Sequence, residues 1–116
     1  MQTTFEVIGT DGISRIHTIE LEREPTFTQL ADIVNPYLQA KGRPEAFFEH
    51  VQVWHQGDYH SMFVDDMGAL KKLPANEAAT IIYHANMLAH ECPGADTSTW
   101  PKIYGVAVLF HRNVWF

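Results

Sequence analysis

Two neighbouring carboxylates are the first residues of this chain that invite chemistry. Asp65 and Asp66 stand in the stretch "FVDDMGALKKLPAN". A close carboxylate pair can split its two pKa values for general acid/base work or share a hard divalent cation, and His60 would add an imidazole to such a metal-dependent site. Neighbours on a strand point to opposite faces, however, and Asp followed by Met67 and Gly68 is also an ordinary turn, in which the carboxylate bonds its own backbone. The turn reading is the simpler one. It makes Asp65 and Gly68 turn residues and leaves Asp66 as an acidic surface group.

The seven histidines raise the question of a metal. His84, His90 and Cys92 are the nearest grouping of soft ligands, but a six-residue helical step turns by about 240°, so the two imidazoles diverge and zinc is not expected. His55 and His60 straddle Gln56-Gly57-Asp58 and can approach across a hairpin, yet no third ligand is evident. Cys92 precedes Pro93 at the end of a helix, where the dipole raises a thiol pKa. Ser61 and Ser98 lack a nucleophile elbow, and "GTDG" is too short for a phosphate cradle and leads into no helix. No catalytic residue, metal or cofactor is expected, and the chain reads as a non-enzyme.

Those residues must be positioned by a fold of modest size. With 116 residues, 46% of them hydrophobic, the chain suits a single domain over 1–116 with one core. "TTFEVIGT" and "ISRIHTIELE" flank Thr10-Asp11-Gly12 as a β-hairpin. In "EPTFTQLADIVNPYLQAKG", Phe27, Leu30, Ala31, Val34 and Leu38 keep helical spacing, and Thr26 with Gln29 forms a capping box that starts the helix. Pro36 should kink or restart it with Asn35 as a new cap, and Gly42 should end it.

The pattern then recurs. "FFEHVQVWHQ" and "YHSMFVD" make a second hairpin, and Pro74 leads to Asn76, which caps a second helix supported by Glu77 at its positive end. Ala78, Ile81, Ile82, Ala85 and Leu88 form that helix's apolar stripe, and Pro93-Gly94 ends it. "IYGVAVLF" is apolar throughout, as a central strand buried on both faces would be, and "VWF" offers a last short strand. The expected fold class is α+β: a mostly antiparallel sheet in the order ββα-ββα-β, with both helices packed on one face.

Charge and aromatic content narrow the function. Eight Lys plus Arg against fourteen Asp plus Glu give −6, which repels a phosphate backbone, so direct nucleic-acid binding and attachment to an anionic membrane are not expected. With a lone Cys and neither leader nor membrane-spanning run, the chain reads as soluble and cytoplasmic. Trp54, Trp100, Trp115, Tyr37, Tyr59, Tyr83, Tyr104 and Phe116 exceed what one small core needs, and Trp and Tyr favour contact surfaces. By alternation Trp54 lies with Gln52, opposite Val51 and Val53.

Several positions together resemble a small uncharacterised family found mostly in phage, plasmid and bacterial genomes. These are Pro25 and Thr26, then Asp65, Gly68, Leu70, Leu73, Pro74 and Asn76 in the pattern D-x-x-G-x-L-x-x-L-P-x-N, then Ile103, Gly105 and Ala107. The resemblance covers the chain from about residue 25 onward and brings no reaction with it. It implies a small acidic protein of a mobile element that binds a host protein or protein complex, such as a CRISPR-type defence nuclease. The leading expectation is thus an interaction protein of a bacterial host's cytoplasm that inhibits or modulates such a partner, with Trp54, Tyr59, Asp66 and Trp100 at the contact and a homo-oligomer as a further form it could take. A second expectation is a small-molecule or nucleotide binder using Tyr83, Asn86 and Trp100, and a third is the metal enzyme built on His60, Asp65 and Asp66.

Overall fold

The computed structural model describes residues 2–21, 25–38, 48–65, 73–90, 100–112 and 114. Within them the chain forms β1 (Gln2–Ile8), β2 (Ser14–Glu20), α1 (Phe27–Leu38), β3 (Phe48–His55), β4 (Asp58–Asp65), α2 (Glu77–His90) and β5 (Ala107–Phe110). The fold is α+β, in the order ββα-ββα-β. One open sheet runs β2-β1-β5-β4-β3, and every neighbouring pair is antiparallel. No helix among the described residues is long and apolar enough to cross a membrane.

Both hairpins follow from local chemistry. At the first turn Gly12 takes φ +83°, and the Asp11 carboxylate accepts the backbone N–H of Ile13 at 3.0 Å. At the second, His55 pairs with Asp58 across Gln56 and Gly57, which hold φ 53° and 84°. Two successive left-handed residues match the right-handed twist of the flanking strands.

The capping box at α1 is formed. The Thr26 N–H donates to the Gln29 side chain at 2.9 Å and the Gln29 N–H to the Thr26 hydroxyl at 3.3 Å. The expected restart at Asn35 does not occur, because α1 continues through Pro36 to Leu38. A proline in the last turn costs one backbone bond near a helix end that is already losing them, and the Asn35 side-chain oxygen caps nothing.

The two helices do not share a face of the sheet, which corrects the expected arrangement. Phe63 of β4 and Val108 and Phe110 of β5 pack with Leu30, Val34 and Leu38 of α1. Their immediate neighbours Met62, Val64, Ala107 and Leu109 pack with Ala79 of α2. Since successive strand residues point to opposite sides, α1 covers one face and α2 the other. Each fully buried side chain of this size contributes about 1.5–3 kcal/mol, so both faces carry a core.

Two further expectations shift by a few residues. The buried side of α2 runs through Ala79 with Ala78, Ile82 and Tyr83 alongside, whereas Ile81, assigned to the apolar stripe, is 68% exposed. β5 has four residues, not eight, because Gly105 at φ +85° breaks the extended chain. The segment before it serves α2 instead: Ile103 and Gly105 bond the backbone of Asn76 and Pro74 at 2.7 and 2.8 Å.

Candidate functional site

The aromatic residues expected at a contact fall into two separate places. Trp54 and Tyr59 are partners in the β3–β4 register, and their rings meet edge to face at 5.0 Å. They stand at the outer end of the hairpin that forms one edge of the sheet, on the α1 face. Tyr59 is 39% exposed. Trp100 belongs elsewhere, with its ring 5.5 Å from that of His84 in α2. His84 in turn lies 5.8 Å from Tyr83, and its Nε2 donates to the Pro101 carbonyl at 2.7 Å. Tyr83, His84 and Trp100 thus form one ring series.

Asp66 and Gly68 lie outside the described residues, as do Gly42, Met67, Leu70, Cys92, Pro93, Gly94, Ser98, Trp115 and Phe116, together with the side chains of Asn86 and His90. Asp65 closes β4 opposite Phe48 and is buried. It lies five positions after His60 on the same strand, an odd step, so the two point to opposite faces of the sheet. That separation breaks the site expected from His60, Asp65 and Asp66. Among the described residues no group of three His, Cys, Asp or Glu side chains is arranged to hold a metal ion.

Asn76 does cap α2, and does more than the sequence indicated. Its side-chain oxygen accepts the Ala79 N–H at 3.1 Å, while its amide nitrogen donates to the carbonyls of Ile8 and Gly105, both at 2.9 Å. Thr80 extends the junction, since its hydroxyl donates to the Asn76 carbonyl and accepts the Ile103 N–H. One buried amide therefore ties the start of α2 to β1 and to the approach to β5.

Two groupings go beyond what was expected from the sequence. Ser61 and His50 face each other across β3 and β4, with Oγ and Nε2 3.0 Å apart, which is the spacing of a nucleophile and its base. Burial lowers the His50 pKa, consistent with a neutral imidazole there. Ser61, however, has no exposed surface, and its oxygen also accepts the buried N–H of Val114 at 2.9 Å. No substrate can reach it, so the pair is a tie between strands and the segment after β5.

The second grouping is a row of imidazoles on the α2 face. His55 and His60 approach across the hairpin with ring centroids 5.6 Å apart, as the turn spacing allowed. The third member is His111, just after β5, with its ring 6.5 Å from that of His60 and its Nε2 3.7 Å from the Glu6 carboxylate on β1. Only the sheet order could have revealed it, because His111 meets His60 through pairing of the last strand. The His55 pKa is lowered, chiefly by burial and then by His60, with Glu6 opposing and His111 adding to the depression.

No protein-family model, curated protein or solved structure matches this chain. The resemblance to a mobile-element family therefore rests on the residue pattern alone.

Proposed function

We propose that this chain acts by binding another protein through the outer end of the β3–β4 hairpin and catalyses no reaction. The observation that carries this reading is the Trp54–Tyr59 pair, held edge to face by the strand register with Tyr59 partly in solvent. Two rigid aromatic side chains offer a large contact area with little rotamer entropy to lose, the property common to residues that dominate protein interfaces. The formal charge of −6 favours a basic partner surface. Resemblance to a family of phage and plasmid proteins makes a host protein, such as a CRISPR-type defence complex, the partner that this reading names.

The test compares the parent with Trp54→Ala/Tyr59→Ala on proteins captured from host extract, with melting followed in parallel. A partner held by the parent and weakened by about tenfold or more in a variant that still folds is the expected result. Equal capture by both proteins would overturn the reading.

A second reading, a binder of flat heteroaromatic molecules, is favoured by the Tyr83–His84–Trp100 ring series. Its test is a thermal shift with nucleotides, since a ligand at a hundred times its Kd adds about 2.7 kcal/mol to stability. A Trp100→Ala variant should lose that shift.

A further inference from the structure

The row His55, His60, His111 and Glu6 spans four strands. His55 ends β3, His60 lies in β4, His111 follows β5 and Glu6 lies in β1. His60 is the middle ring and only 7% exposed. Its Nδ1 stands 2.9 Å from the Phe110 carbonyl, and since a carbonyl only accepts, that nitrogen carries the proton. Beside it, the His111 N–H donates to the Thr4 carbonyl at 2.9 Å and the Ser61 N–H to the Arg112 carbonyl at 3.3 Å. Three imidazoles therefore sit where β4, the end of β5 and β1 are joined.

The charges around the row are unequal. Among the described residues Glu6 is the one carboxylate in contact with it, through His111. Asp58, across the hairpin from His55, turns its carboxylate to the Tyr59 N–H at 2.8 Å. The Arg112 guanidinium bonds the Thr3 hydroxyl on the α1 side. From β2, Ile16 and Thr18 face Glu6 and Thr4 and carry no charge. From α2, on the same sheet face, Tyr83 packs against the core and brings no carboxylate to the row. One negative charge can answer a first proton on the row, and among the described residues no second carboxylate is in contact to answer another.

We propose that the four groups form a proton-sensitive latch, which holds the β3–β4 hairpin to the end of β5 and to β1 while the rings are neutral and loosens that corner once two of them are protonated. Like charges at ring-to-ring distance disfavour each other strongly where burial limits screening. Imidazole is also the side chain whose charge changes in mildly acidic conditions. The latch stands independently of any binding partner.

The test is an NMR pH titration of the imidazole C–H signals in the parent, His111→Gln and Glu6→Gln, all at partly exposed positions. The latch requires opposite shifts of the His55 midpoint: upward in His111→Gln, which removes a positive neighbour, and downward in Glu6→Gln, which removes a negative one. A His55 midpoint that neither variant moves would overturn the proposal. Amide exchange, corrected for its intrinsic pH dependence, reads the loosening. On going from about pH 8 to about pH 5.5, the parent should lose protection at Ser61 and His111 by about tenfold relative to Val108, and His55→Gln should lose much less. Equal behaviour of parent and His55→Gln would also overturn it.

Discussion

The side-chain nitrogen of Asn76 lies 2.9 Å from the carbonyl oxygen of Ile8, a residue 68 positions earlier in the chain. A helix cap is thereby also a long-range clamp, because the same amide reaches Gly105 and the same side chain's oxygen holds the first turn of α2. Asn76→Ala should cost more than an ordinary cap. Losing a cap costs about 1 kcal/mol, and stranding buried carbonyls adds about 1–3 kcal/mol. The expected total is about 3 kcal/mol, measurable by urea unfolding. Asn76→Asp keeps the cap but turns oxygen toward two carbonyls, so it should be as damaging as the alanine change despite its similar shape.

Gly105 and Gly57 hold nearly the same φ, +85° and +84°, in different surroundings. A Cβ on Gly57 meets nothing, whereas one on Gly105 would lie 2.8 Å from the Cδ1 of Leu73. Gly57→Ala should therefore lose only the left-handed backbone penalty, about 1–2 kcal/mol. Gly105→Ala should lose the same plus the displacement of Leu73, and should melt at the lower temperature of the two.

Gln56 adopts φ 53° without being a glycine. Asn tolerates that region better, and Asn-Gly is the favoured pair for a two-residue hairpin turn. Gln56→Asn should stabilise the chain by about 0.5 kcal/mol, readable as a higher urea midpoint with unchanged slope.

Ser61 separates a structural tie from a nucleophile. Ser61→Ala leaves the buried Val114 N–H without its acceptor and should cost about 2 kcal/mol. The folded parent should remain unlabelled by a fluorophosphonate, because the hydroxyl has no exposed surface. Rapid labelling of folded protein would restore the catalytic reading.

The pKa values of His50 and His55 are both lowered in the folded chain, by burial first. On acidification the unfolded chain takes up those protons earlier, so the folded state loses relative stability as pH falls through the ordinary imidazole value, about 6.5. The loss continues down to the depressed folded values and then levels off. The melting temperature should therefore fall between about pH 7.5 and about pH 5, and His50→Gln should flatten part of that slope.

Features fixed by near neighbours were legible in the sequence. The Thr26–Gln29 capping box, the two hairpin turns and the Asn76 cap each depend on contacts within a few residues. The side of the sheet on which each helix lies depends on long connections, and an apolar stripe says only that a helix has an inner face. One signal did bear on it: a strand as uniformly apolar as Ala107–Phe110 requires cover on both sides, which two helices on one face cannot provide. The place of His111 in the imidazole row, and of Val114 on the Ser61 oxygen, was hidden because both depend on where the last strand pairs. The Trp54–Tyr59 pairing was accessible, since a two-residue turn at Gln56-Gly57 sets those positions opposite each other.

The strand order has a consequence for synthesis of the chain. β1 and β4 flank β5 and do not pair with each other. Before Ala107–Phe110 has been made, the nascent polypeptide holds two hairpins whose inner edges have unpaired backbone groups, and unpaired edges invite association with other chains. A few residues translated late thus act as the closing seam between two earlier halves. A chain cut short before Ala107 should be captured by holdase chaperones, whereas supplying the missing strand as a separate peptide should release it.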